Sequence, residues 1–275
     1  MTLPAEAAIK IDLKKSLESK SEQMKKVLVG ILIVAALTNC KEKAKKEAET
    51  DVAGSMQDET MTNNQEQGWT VLFDGTSFDG WKGYLRDDVP EYWKLEDGAM
   101  VLHPPENGSE GESFNLVTTD NYSSFILSLE WRISEGGNSG VMWGVKEDEK
   151  YHEPYETGPE IQVLDNERHP DAKAGTTHQA GALYDMVAPS EDVTKPAGEW
   201  NTMVITINQK EHHGSVNLNG VDIVEFPLGN AQWDEMVSKS KFAGWEGFGK
   251  FPNGKIALQD HHFEVAFKNI KIKQL

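Results

Sequence analysis

After residue 68, apolar side chains recur at every second position in short runs, which is the period of half-buried β-strands. Phe125, Leu127, Leu129, Trp131 and Ile133 fall on one side of such a run, while Ser128, Glu130 and Arg132 fall on the other. Residues 69–73 form a further short run that ends in Asp74-Gly75, a turn signal. Residues 92–95 and 99–102 flank Glu96-Asp97-Gly98 and predict a hairpin. Residues 202–208, 216–218 and 221–226 predict a meander, closed by a tight Asn219-Gly220 turn. Only residues 231–241 have a helical pattern, with Trp233, Met236 and Val237 on one side. Many short strands with one short helix predict an all-β fold, a sandwich of the jelly-roll kind.

Two strands carry polar residues where a core strand would continue apolar. In one, Ile256 and Leu258 alternate with Ala257 and Gln259, and the run then ends in Asp260, His261 and His262. In the other, Ile161 and Val163 point one way while Glu160 and Gln162 point the other, before Asp165 and Asn166 make a turn. Acids, amides and imidazoles aligned along strands predict a sheet face that holds a polar ligand; the plainer alternative is a solvated outer face. The glycine-rich loop 135–140 leads into a strand rather than a helix, so it is no phosphate cradle.

The first quarter of the chain has a different composition. Lys25 and Lys26 precede an unbroken small and apolar run over residues 27–37, and Leu37-Thr38-Asn39-Cys40 follows. A basic segment, an apolar segment too short to span a bilayer and a cysteine resemble a bacterial lipoprotein signal over residues 24–39. On that resemblance Cys40 carries the lipid, and the protein is anchored in the cell envelope, facing the periplasm or the outer surface. Residues 1–23 are polar, sit ahead of a complete signal and are read as an extension before the true start at Met24. Residues 40–67 are rich in Lys, Glu, Gln, Asp, Thr and Asn and too poor in apolar groups to fold, so they are read as a tether. Cys40 is the single cysteine, so an exported fold has no disulfide to support it.

That leaves residues 68–275 as one domain. The chain has a formal net charge of −18, and nearly all of the acidic excess lies in this stretch. Such a surface repels phosphate backbones, which argues against nucleic acid as a partner and favours neutral ligands or cations. All eight Trp also fall here. Most should fill the core, with at most two or three at a ligand site, where flat apolar faces suit sugar rings.

Seven short motifs, in order, resemble one family. They are Gly68-Trp69-Thr70-Val71-Leu72-Phe73-Asp74-Gly75 with Asp79-Gly80-Trp81, Gly137-Asn138-Ser139-Gly140-Val141, Glu160-Ile161-Gln162-Val163-Leu164-Asp165, Gly181-Ala182-Leu183-Tyr184-Asp185, Gly198-Glu199-Trp200-Asn201, Leu218-Asn219-Gly220, and Ile256-Ala257-Leu258-Gln259-Asp260-His261. Together they resemble the 3-keto-disaccharide hydrolase family across the whole domain. The resemblance implies a concanavalin-like β-sandwich with a ligand groove, acting on disaccharides whose carbon-3 hydroxyl has been oxidised to a ketone. Met142-Trp143-Gly144-Val145 and His262 depart from the family pattern and leave sugar identity and linkage open.

A ketone at carbon-3 acidifies the proton on carbon-2. The chemistry implied by the resemblance is removal of that proton by a base, loss of the glycosidic oxygen with help from an acid, and later addition of water. The polar sides of three strands supply candidates: Glu130 with Arg132, Glu160 with Gln162, and Gln259 with His261. Glu160 and His261 are the expected proton-transfer pair, with Arg132 holding an oxyanion and Glu130 beside it. Asn138, Gln162 and Gln259 are expected to orient sugar hydroxyls, with His178 and Tyr184 reaching over from a loop. Glu130 and Arg132 have a simpler alternative as a surface ion pair, and Asp165 as a turn cap. Nothing points to a nucleotide, flavin or haem, but a metal is open: Glu160, Asp260, His178 and His261 are of the right type to hold a divalent ion, and calcium held at a sandwich edge by Asp and backbone oxygens is the alternative. The expected partner is an oligosaccharide or glycoside. The competing readings are a carbohydrate-binding module and a structural surface lipoprotein, neither of which needs paired acids with an imidazole.

Overall fold

The computed structural model describes residues 68–105 and 112–275. The expected signal, the lipid site at Cys40 and the tether lie outside the described residues, as does the 1–23 extension.

Thirteen strands and one α-helix make up the described chain. In order they are β1 (Thr70–Phe73), β2 (Trp81–Gly83), β3 (Trp93–Glu96), β4 (Ala99–Leu102), β5 (Leu116–Thr118), β6 (Phe125–Ile133), β7 (Asn138–Val145), β8 (Glu160–Leu164), β9 (Asn201–Asn208), β10 (His213–Leu218), β11 (Val221–Pro227), α1 (Ala231–Ser238), β12 (Lys255–Leu258) and β13 (Val265–Gln274). An eight-stranded sheet runs β11-β10-β9-β6-β13-β4-β3, with β1 also paired to β13. A five-stranded sheet runs β2-β5-β12-β7-β8. Every strand pairing is antiparallel. This is the all-β, concanavalin-like jelly-roll sandwich that the pattern and the resemblance predict.

The period-2 alternation decides which residues meet between the sheets. Leu127, Leu129 and Trp131 of β6 and Ile205 and Ile207 of β9 share one core with Val141 of β7 and Ile161 and Val163 of β8. Burying each such side chain contributes about 1.5–3 kcal/mol. Turn chemistry sets the registers. Asp97 and Gly98 (φ 49° and 74°) close β3 onto β4, and Asn219 and Gly220 (φ 52° and 89°) close β10 onto β11. Both pairs have the two left-handed residues that a tight hairpin requires.

Two elements differ from expectation. β12 was expected to be half-buried, but it lies inside the smaller sheet between β5 and β7 and is buried along its whole length. Its outward residue Ala257 packs with Val117 and Met142 in a small second cluster. The helix begins as expected, with the Asn230 side chain accepting from the Trp233 N–H at 3.0 Å. It ends at Ser238, however, and the chain turns so that residues 241–245 leave the helix axis. That early end delivers Lys241, Phe242 and Trp245 to the site described next.

Candidate active site

Glu160 and Gln162 follow each other on one side of β8, and Met142 and Gly140 of β7 lie directly opposite them. Since Ile161 and Val163 face the core, Glu160 and Gln162 stand on the face of the small sheet turned away from it. Gly140 is needed there for room: a Cβ at that position would lie 2.6 Å from Glu160 Cδ and 2.7 Å from its Cγ. Asn138 begins β7, and Gln259 and His261 extend from the end of β12. These five side chains, with Tyr155, Tyr184, Lys241, Phe242 and Trp245 from loops, line a cavity of about 310 Å³. That is at the lower end of the ~300–1,000 Å³ typical of ligand pockets.

The cavity is polar below and aromatic above. Among the described residues, four buried side-chain polar atoms have no protein partner; Asn138 Oδ1 and Gln259 Oε1 are two of them, and both residues line this cavity. Buried acceptors without partners are rare, and here they mark places for donors of a bound molecule. Gln162 Oε1 already accepts from the Val163 N–H at 3.1 Å, so its amide nitrogen is what it offers a ligand. Tyr155 (39 % exposed) and Trp245 (37 % exposed) form a tilted pair with centroids 6.1 Å apart at the mouth. Such faces suit the apolar side of a sugar ring.

Ionisation in the cavity is displaced from the ordinary. Glu160 is 7 % exposed, and burial pushes its carboxyl pKa up to about 8. The Lys241 charge opposes that shift, Asp171 adds to it, and a hydrogen bond with the Gln259 side chain opposes it weakly. His261 keeps an accessible edge at the rim, but protein on its other sides strips enough water to lower its pKa below 6.5; His169 and His262 act in the same direction. At neutral pH, therefore, Glu160 keeps a proton while His261 is neutral and able to take one.

His178 does not line the cavity but sits behind it. Its Nδ1 lies 2.8 Å from Asp171 Oδ1 and its Nε2 lies 3.1 Å from Asp185 Oδ1. Burial works against a charge on this ring, but the two carboxylates outweigh it and raise the pKa. Asp171 Oδ2 accepts from the Tyr184 hydroxyl at 2.9 Å, and Asp185 Oδ2 accepts from the Lys241 backbone N–H at 2.7 Å. Lys241 Nζ rests 4.0 Å over the Tyr184 ring. His178 thus holds two carboxylates that place the wall and the cation of the site, and it touches neither ligand space nor Glu160.

Two expected residues are elsewhere. Glu130 and Arg132 project from the outer side of β6, in the other sheet, where their neighbours belong to β13. Glu130 pairs with Lys268 Nζ at 3.4 Å and accepts from Asn269 Nδ2 at 2.7 Å, and Arg132 stacks on Trp200 at 4.9 Å. The expected convergence of three polar strand faces is corrected to two. The alternation that placed Glu130 and Arg132 on one side of β6 does not tell which side faces a ligand. The cation that lines the cavity is instead Lys241, which no strand pattern marks. The only sequence signal for this loop is a pair of aromatics, Phe242 and Trp245, in an otherwise polar segment.

Of the four residues considered for a metal, Glu160 and His261 share the cavity, while Asp260 and His178 are engaged elsewhere. Asp260 accepts from the Phe114 and His262 backbone N–H groups at 3.0 and 2.7 Å, and His178 is spanned by its two carboxylates. Among the described residues no group of three or more His, Cys, Asp or Glu side chains is placed to hold a metal ion. Asp165 is the turn cap of its alternative reading, accepting from the backbone N–H groups of Gly136, Glu167 and Arg168.

Known proteins match this chain in sequence and in fold. A relative in Bacteroides thetaiotaomicron named 3-keto-disaccharide hydrolase is 35% identical over 232 residues, covering 76% of this chain and 79% of its own. The crystal structure of a candidate glycosyl hydrolase from Parabacteroides distasonis is 34% identical and superposes with a TM-score of 0.68 over 76% of this chain and 94% of that one. A second structure from the same organism, 24% identical with a TM-score of 0.55 over 76% of this chain and all of that one, shares the fold. The sequence profile of the 3-keto-alpha-glucoside-1,2-lyase-like domain matches residues 68–273, and the chain belongs to that family.

Proposed function

We propose that this protein is an exported glycoside-cleaving enzyme acting on 3-keto-disaccharides or related 3-keto-glycosides, by proton abstraction beside the ketone followed by elimination. The observation that carries the reading is the opposed ionisation of Glu160 and His261 in one sugar-sized cavity. The name of the Bacteroides thetaiotaomicron relative, a 3-keto-disaccharide hydrolase, supports the same direction.

Neutral His261 takes the proton from carbon-2, and the electron pair moves toward the carbon-3 oxygen to give an enediolate. Lys241, the cation that lines the cavity, is assigned to meet the charge that develops on that oxygen. The pair then re-forms the carbon-3 carbonyl and makes a carbon-1 to carbon-2 double bond. The glycosidic oxygen leaves from carbon-1 and takes the Glu160 proton. Water added across the new double bond completes hydrolysis. Asn138, Gln162 and Gln259 orient ring hydroxyls, and the Tyr155 and Trp245 faces close over the ring. Ordinary glycosidases instead flank the bond with two carboxyls, and here a carboxyl and an imidazole share the cavity. Export rests on the basic and apolar run before Cys40, with lipid on that cysteine as the proposed link to the envelope.

The direct test offers purified protein 3-keto-trehalose or 3-keto-sucrose beside the unoxidised sugars. Monosaccharide should be released from the keto forms only. Release from the plain disaccharides at a similar rate would remove the keto-specific chemistry, and binding without turnover of any of them would favour a lectin.

A further inference from the structure

A second hollow of about 240 Å³ abuts the first, and the two share Tyr155, Gln259 and His261 as a common wall. Its remaining surface includes Ser113, Asn115, Glu153 and Asp260. These groups are held in place by one another. Ser113 Oγ and Asn115 Nδ2 donate to Glu153 Oε2 at 3.0 and 2.8 Å, and the Asp260 N–H donates to Asn115 Oδ1 at 2.9 Å. Gln259 sits between the hollows. Its side chain bonds Glu160, while its Oε1 is buried without a partner. The Ser139 hydroxyl fixes its backbone by donating to the Gln259 carbonyl at 2.8 Å.

We infer that this second hollow is the subsite for the leaving group, and that it selects a hydroxyl-rich sugar over an aromatic aglycone. The inference rests on the glycoside-cleaving reading above and adds to it the substrate's other half. If the keto ring occupies the first cavity, the bond to be broken crosses the shared wall, beside Gln259 and the Glu160 carboxyl that it contacts. What lies beyond the wall must then receive the departing group. Three carboxylates (Glu112, Glu153 and Asp260), a hydroxyl, two amides and two imidazoles line that space, with Tyr155 as the one phenol ring. The Asp260 oxygens and Asn115 Oδ1 are already taken by backbone N–H groups, so the acceptors a ligand rich in O–H donors satisfies are Gln259 Oε1, which has no partner, and the Glu153 carboxylate at the wall. An aryl ring would displace their water and return no hydrogen bonds.

The test compares Glu153→Ala and Glu153→Gln with wild type on two substrates that share the keto ring: a 3-keto-disaccharide and an aryl 3-keto-glucoside. A hydrogen bond to a charged group is worth roughly ten- to a hundredfold in binding. Glu153→Ala should therefore lower kcat/KM on the disaccharide by about that factor, mainly through KM, while aryl turnover stays within about twofold. Glu153→Gln, which keeps the shape and an acceptor, should recover part of the loss. Circular dichroism and Tm on each variant report folding, and the aryl rate itself reports an intact catalytic cavity. An equal loss on both substrates, or no loss on either, overturns the subsite while leaving the glycoside-cleaving reading in place. Failure of wild type to turn over either keto substrate overturns that reading, and the subsite with it.

Discussion

Glu160→Gln should lower kcat/KM on a 3-keto-disaccharide by about a thousandfold, within the 10²–10⁴ range that positioned proton transfer contributes. The substitution keeps the size of the side chain, and an amide still bonds Gln259, so the fold should survive. What disappears is a proton that can be given to a poor leaving group. The loss should therefore depend on the aglycone. With a nitrophenyl 3-keto-glucoside, whose oxygen departs unaided, the variant should recover to within about tenfold of wild type. A His261→Ala variant should be slow on both substrates, because proton removal at carbon-2 is needed whatever leaves.

The pH profile carries the same assignment. An acid with a pKa of about 8 supports activity below that value and loses it as pH rises through it. A base whose pKa lies below 6.5 supports activity above its pKa and loses it as pH falls through that lower value. Wild type should give a bell between these limits. Glu160→Gln should lack the alkaline limb on the nitrophenyl substrate and keep the acid one. A Glu160→Gln variant equally slow on both aglycones, or one that keeps the alkaline limb, would assign the acid elsewhere.

Lys241→Met should cost about 10²–10³ in kcat, the usual effect of removing one group that stabilises a developing oxyanion. It also has a second consequence that simple loss of packing would not produce. The Lys241 charge holds down the pKa of Glu160. Without it, the carboxyl should keep its proton to higher pH, and the alkaline limb should move upward. Lys241→Arg should restore part of the rate and return the limb toward its original position. A variant that is slow but has an unmoved limb would leave Lys241 with a packing role over Tyr184.

The contrast between Lys241 and Arg132 shows what alternation along the chain can and cannot reveal. On β8, Glu160 and Gln162 were recognisable because polar groups replaced apolar ones on one side of a strand whose other side was plainly core. Gln259 and His261 were recognisable in the same way, and all four line one cavity. Arg132 and Glu130 carry an identical signal, yet their polar side is an outer surface stabilised by Lys268, Asn269 and Trp200. Period 2 assigns residues to sides of a strand, and only the stacking of the sheets decides which side faces a ligand. Lys241 and Trp245 depend on where a helix stops and how the following loop folds back, and neither has a periodic signature. His178 was recognisable as a functional type but not in its role, since that role comes from Asp171 and Asp185, each seven residues away. The turns were the most readable part, because Asp97-Gly98 and Asn219-Gly220 require a left-handed backbone that few other pairs accept.

The central claim is that the glycosidic bond breaks by elimination after carbon-2 has lost its proton. Its most direct measurement is cleavage of a 3-keto-disaccharide in deuterium oxide, with the glycone product examined by NMR and mass spectrometry against an enzyme-free control. The account predicts deuterium at carbon-2 of the hydrolysed sugar, or an unsaturated product with no hydrogen there. A released glycone that retains its original carbon-2 hydrogen in full would contradict it.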